Sequence, residues 1–129
     1  MESAEVLTNE DFYKQALSET EEYQRLTPTR RSFLERFLIL FIHYEYVRDK
    51  NKEFAKTYGC TEKTIERYFS DIRKANIIEQ KITSPVYDGQ YHTERIMKLN
   101  SLLKAKILSR ARELKADHQK RNVEAKNDD

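Results

Sequence analysis

The stretch FAKTYGCTEKTIERYF, residues 54 to 69, constrains this chain more than any other. Ala55 stands four residues before Gly59, and Ile65 stands six after it. Two helices that cross near their ends need a small residue where the backbones approach, and Ala55 supplies it. The chain must then leave the first helix sharply, which Gly59 permits because it adopts the left-handed conformation without a Cβ clash. Cys60 serves the turn as a small apolar residue, and Thr61 follows as a helix cap whose hydroxyl accepts an exposed backbone N–H. Helical periodicity puts Ile65, Tyr68, Phe69 and Ile72 on the buried side and leaves Lys63, Arg67 and Ser70 outside. The segment is either an ordinary pair of amphipathic helices or a pair set at an angle that presents the second one outward.

The surrounding sequence supplies a core for such a pair. Thr8 followed by Asp11 is a helix-start pattern, and Phe12, Ala16, Leu17 and Tyr23 give an apolar edge to a helix over roughly 9 to 24. Pro28 breaks it. Thr29 caps a second helix running to about residue 49, on which Phe33, Phe37, Leu40, Phe41 and Tyr44 form one stripe, widened by Leu34, Leu38 and Ile42. Helices over 52 to 58 and 61 to 75 follow. IIEQKITSPVY and QYHTERIMKLN then read as two extended segments joined at Asp88-Gly89, a pair that tolerates positive φ and favours a tight hairpin. Pro85 cannot donate to a ladder and belongs near the outer end or on an edge. From Asn100 the helical pattern returns, with Leu99, Leu103, Ile107, Ala111 and Leu114 on one face. The polar run after Gln119 reads as a frayed tail. The expected division is an acidic helical extension over 1–29, a central domain over 30–99, a C-terminal helix over 100–118 and a flexible tail over 119–129.

Composition narrows the function classes. The 129 residues, 38% hydrophobic and 36% charged, fit one globular domain with an added helix at each end. The formal net charge is only +2, but it is unevenly distributed. Residues 1 to 29 hold seven acids and two bases, residues 30 to 99 fourteen bases and ten acids, and the remainder eight bases and five acids. Everything after Arg30 is therefore compatible with a polyanion. No apolar run approaches the roughly 18 residues of a membrane span, and no basic start precedes an apolar stretch, so neither a membrane partner nor a secretory signal is expected. A lone Cys60 and three scattered histidines argue against a disulfide framework or structural zinc, and for a reducing, cytoplasmic setting. With only Gly59 and Gly89 in the chain, glycine-rich cofactor loops are excluded. No nucleophile–base pattern is visible, so no enzyme activity and no cofactor are expected.

The combination of Ala55, Gly59, Cys60, Thr61 and Ile65, with KANIIEQ and the hairpin after it, resembles the winged helix-turn-helix family of DNA-binding domains over about residues 30 to 99. The resemblance implies a mainly α fold with a two-stranded β-hairpin wing and extra N- and C-terminal helices. It places DNA-reading positions at Thr61, Glu62, Lys63, Thr64, Glu66, Arg67 and Ser70. Arg can donate two hydrogen bonds to guanine, Lys can reach the same acceptors or a phosphate, and Glu can accept from cytosine. In the hairpin, Tyr87, Gln90, Tyr91 and His92 surround the tip, with Lys81 and Arg95 farther down, an arrangement suited to backbone or minor-groove contacts.

The expected function is sequence-specific binding of double-stranded DNA by a small transcriptional regulator, a repressor or activator acting on a palindromic or repeated site. A homodimer is expected, with Leu103, Ile107 and Leu114 as the dimerisation face. The acidic helix over 9 to 24 is available for a protein partner. Two other classes fit the same sequence: a plasmid or viral replication-initiation or partition protein, and a winged-helix protein-interaction module that binds no DNA.

Overall fold

The structure, a computed structural model, describes residues 8–127, with side chains through Val123; the first seven residues of the acidic extension and the last two of the tail lie outside the described residues. Helix α1 (Asn9–Ser18) opens with the capping box anticipated from Thr8 and Asp11. The Thr8 backbone N–H donates to the Asp11 carboxylate at 2.8 Å, and this bond is the main reason the acid is held below its usual range. The cap is therefore intact at neutral pH and weakens as pH falls through that lowered value.

The expected single helix over 9 to 24 is two. Thr20 starts a separate short α2 (Glu21–Gln24) because its hydroxyl accepts from the Tyr23 N–H at 3.3 Å, offering the chain a new cap inside the segment. Next comes α3 (Pro28–His43), which begins two residues earlier than the Thr29 cap predicted: Thr27 is the cap, and Pro28 takes the first helical position, where its missing N–H costs nothing. The helix stops at His43 instead of continuing to about 49. Tyr44 is extended and 60% exposed, so it leaves the Phe-rich stripe to which periodicity assigned it. The chain then runs extended, and Val47, 3% exposed, pairs antiparallel with Met97. Here Val47 is buried and its backbone hydrogen bonds go to Met97 in place of another turn of helix.

Helices α4 (Asn51–Tyr58) and α5 (Glu62–Lys74) form the angled pair. Between them Gly59 has φ +77°, and both its N–H and that of Cys60 donate to the Ala55 carbonyl, at 2.8 and 3.0 Å. Asn76, with φ +63°, ends α5 in the same left-handed way and turns the chain so that Ile77 enters the core. Strand β1 (Ile78–Thr83) follows, then β2 (Val86–Tyr87), β3 (Gln90–Tyr91) and β4 (Glu94–Leu99). β1 pairs with β4 from Ile78↔Leu99 to Thr83↔Glu94, and β2 with β3 at the tip. The hairpin is thus one ribbon interrupted at Ser84-Pro85, where Pro85 has no ladder bond to give but accepts from the His92 N–H at 2.9 Å. Asp88 (φ +54°) and Gly89 (φ +72°) make the tight turn that their dipeptide favours. The result is mainly α, a winged-helix arrangement with a β-hairpin wing and extra helices at each end.

α6 (Ser101–Asn127) is capped by Asn100, whose side-chain oxygen accepts from the N–H groups of Leu102 and Leu103, both at 3.1 Å. It runs past Gln119, where the polar run was expected to end it. RNVEAKN contains no glycine or proline and several good helix formers, so polarity alone does not break the helix.

A continuous core joins these elements. At its centre Phe33, 1% exposed, makes edge-on contacts with Phe37, Tyr58, Tyr68 and Phe69 at centroid distances of 5.0–5.3 Å. Such pairs add about 0.5–1.5 kcal/mol each beyond the area they bury. Together they lock the angle between α3, α4 and α5. α1 packs on α3 and lies antiparallel along α6, with Asn9 near Lys115 and Glu19 near Arg110.

Candidate nucleic-acid interface

α5 owes its orientation to three fully buried side chains, Ile65, Phe69 and Ile72, each at most 1% exposed. Its start is fixed by Thr61, whose hydroxyl accepts from the Thr64 N–H at 3.2 Å, as the cap pattern predicted. The Thr61 and Thr64 hydroxyls are also 3.0 Å apart, so Thr64 is half-buried and partly committed to the cap. At 3.6 residues per turn, the face opposite the buried stripe carries Lys63, Arg67, Ser70 and Lys74. Glu62 and Glu66 fall one step round the helix, on the flank shared with Arg73, whose guanidinium bonds the Gln80 side chain of β1. The two acids that sit among the reading positions in sequence therefore border the basic face rather than occupy its centre.

Lys63, Arg67 and Lys74 are exposed and make no ion pair among the described residues. The neighbouring acid Asp71 is engaged: Arg30 of α3 donates to it at 3.0 Å while its guanidinium lies 4.7 Å over the Tyr68 ring. A shallow groove lined by Arg30, Lys63, Glu66, Arg67, Ser70, Asp71 and Lys74 runs along this side of the helix. A second depression shares Arg30, Asp71 and Lys74 with it and adds Arg25 from the corner before α3. Neither Arg25 nor Lys74 was singled out from sequence. Lys74 could have been, since it lies seven residues after Arg67 and continues its stripe. Arg25 could not, because only the fold brings the acidic extension beside the end of α5.

The wing is divided. Lys81, Tyr87, Gln90 and Tyr91 are exposed, Tyr91 at 81%. His92 is not free: its ring lies flat on Tyr87, centroids 3.6 Å apart with planes at 2°, and its Nε2 is out of solvent without a hydrogen-bond partner. Arg95 belongs to the root of the wing. It donates to the Asp49 carbonyl at 2.7 Å and to the Asn51 side chain, and it covers the Phe69 ring at 5.4 Å. Burial lowers its pKa and the nearby Arg73 adds to the effect, yet a guanidinium stays charged, so Arg95 ties the wing to α4 and α5. Ala55 and Ile65 are buried as the turn requires, while Cys60 is half-buried at the rim of the core.

Leu103 and Ile107 are 2% and 0% exposed within this single chain, with Leu114 half-buried. α1 runs antiparallel along α6, beside Leu108, Ala111, Arg112 and Lys115. Beside it, Glu19 pairs with Arg110 at 2.7 Å and Glu22 with Lys106 at 3.9 Å, so two of the acids of the N-terminal segment are answered by α6. Among the described residues no group of three or more metal-ligating side chains is found, and no helix is long and apolar enough to cross a membrane.

No protein-family model matches this chain, and no curated protein does. Three solved chains are similar to it. One is a "Possible transcriptional regulator from Methanosarcina mazei Go1", 17% identical, with a TM-score of 0.45 over 92% of this chain and 88% of that one.

Proposed function

We propose that this chain binds double-stranded DNA through the outer face of α5 and reads base sequence there, as a small transcriptional regulator. The observation that supports this most directly is the basic stripe of Lys63, Arg67 and Lys74, without ion pairs among the described residues, on the outward face of a helix anchored in the core by Ile65, Phe69 and Ile72. Arg67 and Ser70 are placed at mid-helix to reach base edges, with Arg67 bidentate to a guanine. Lys63 serves a base or a phosphate near the start, and Thr61 and Thr64 can donate hydroxyls beside it. Glu62 and Glu66, on the flank, accept from cytosine or repel a mismatched approach. At the wing, Lys81, Gln90 and Tyr91 meet the backbone or minor groove, while Arg95 and His92 act from behind by holding the ribbon's root and tip.

The test is selection from a random duplex library at about 0.15 M salt, near the physiological value, comparing the native chain with Lys63→Ala, Arg67→Ala. Enrichment of one motif by the native chain alone supports sequence reading. Enrichment by neither protein, together with no duplex binding at low salt, points to a protein-interaction module. The motif's positions then separate the biological roles: a promoter-overlapping site for a regulator, repeats at an origin or centromere-like site for a replication or partition protein. A two-fold dimer belongs to the same proposal, but Leu103 and Ile107 are already buried within the single chain and could join two subunits only after a rearrangement that exposes them. Sedimentation at micromolar concentration decides between dimer and monomer.

A further inference from the structure

We propose that the corner between α2 and α3 is a second phosphate-binding point for duplex DNA, formed by Arg25 and Lys74, so that the N-terminal extension is part of the DNA-binding surface. This rests on the reading of α5 as the DNA-facing helix and adds to it a site outside the winged core.

The geometry of α5 asks for such a contact. From Lys63 to Ser70 the helix advances about 10 Å, and from Lys63 to Lys74 about 16 Å. A major groove is about 12 Å wide, and recognition helices contact bases with their N-terminal residues. When Lys63 to Ser70 lie in the groove, Lys74 has reached its wall, where the phosphates stand. Beside Lys74 the chain brings Arg25, exposed and without an ion pair among the described residues. The acid that would repel a phosphate here, Asp71, is bonded to Arg30 at 3.0 Å. The two neighbouring depressions thus carry Lys63, Arg67, Lys74 and Arg25 against one acid without an ion pair among the described residues, Glu66. A phosphate contact of this kind positions the protein without selecting bases.

The experiment measures anisotropy of a fluorescent mixed-sequence duplex titrated with the full chain at several salt concentrations. Arg25→Ala, Lys74→Ala, the double variant and Lys63→Ala, Arg67→Ala are run in parallel. Both corner side chains are exposed, so melting temperatures should be unchanged, and this is checked first. The expected result is that each corner substitution reduces the slope of log affinity against log salt by about 0.9, the double variant by about twice that. The motif obtained by selection should stay the same. An unchanged slope in the corner double variant, with a reduced slope in Lys63→Ala, Arg67→Ala, overturns this inference and leaves the α5 reading standing. A native chain that shows no salt-dependent binding to the duplex overturns both.

Discussion

α5 and α6 both carry several cations, yet those on the side of α6 beside the N-terminal helices are used differently from those on the outer face of α5. Along α6, Lys106 and Arg110 face the acids of α1 and α2, and Lys115 donates to Asn9 at 3.0 Å. Along α5, Lys63, Arg67 and Lys74 make no ion pair among the described residues; of the two acids beside them, Asp71 is engaged by Arg30 and Glu66 lies on the flank. A cation already facing a carboxylate has little field left for a phosphate, whereas an unpaired one on a rigid helix keeps all of it. Net charge hides this. The formal +2 of the chain does not distinguish cations that already face a carboxylate from those that do not.

The comparison breaks most visibly if α1 does not belong to its own chain's α6. Leu17 of α1 is fully buried, so Leu17→Ala should lower unfolding free energy by about 2–5 kcal/mol. Denaturant unfolding at two protein concentrations gives the decisive reading. A midpoint independent of concentration keeps α1 and α6 intramolecular. A midpoint that rises with concentration means that the apolar face of Leu103 and Ile107 is shared between subunits, and the two helices then both serve intermolecular contacts.

The next largest effect concerns α5 itself. Replacing Arg67 with Ala should cost about 1–3 kcal/mol of discrimination at one base position, and Lys63→Ala should weaken binding further. Neither should change the melting temperature, because both side chains are exposed and unpaired. Competition between the selected duplex and a shuffled one measures this. A loss of stability instead of discrimination would mean that the stripe holds the fold, as the α6 cations do.

A smaller effect tests how firmly α5 is set. Asn76 closes it with φ +63°, a conformation that costs most L-residues about 1–2 kcal/mol. Asn76→Ala should therefore destabilise by about 1 kcal/mol in thermal or denaturant unfolding, and Asn76→Gly should be close to neutral. Equal loss in both variants would point to the Asn side chain rather than the backbone.

What was legible beforehand follows from how local each device is. Gly59, Thr61, Thr8 with Asp11 and the Asp88-Gly89 turn act within a few residues of themselves, and each was found where its chemistry put it. The end of α3 was missed because Tyr44 and Val47 obey helical periodicity on paper, while the partner that draws Val47 out, Met97, lies across the fold. Sequence sets Arg95 down the strand as suited to a backbone or minor-groove contact, but its fork closes on Asp49 and Asn51, which only the fold brings beside it. The α6 stripe was correctly recognised as apolar, yet sequence could not say that Leu103 and Ile107 would be buried within the single chain. Side chains facing solvent by periodicity were well identified; which of them already had partners was a tertiary fact.

The smallest expected effect is also the one that isolates charge use from charge content. Arg110 bonds Glu19 at 2.7 Å and Glu113 at 2.9 Å, both pairs lying at the surface, and these carboxylates raise its pKa. Arg110→Ala should lower the melting temperature only slightly, and less so as salt is added, because surface pairs are screened. Its salt slope for duplex binding should match the native chain's. That last equality carries the weight, since Arg110 and Arg67 have the same chemistry and differ only in whether a carboxylate already faces them. A slope reduced by about 0.9 in Arg110→Ala, as expected for a phosphate contact, would put α6 on the DNA as well. The contrast between the two helices would then be one of position and not of partnership.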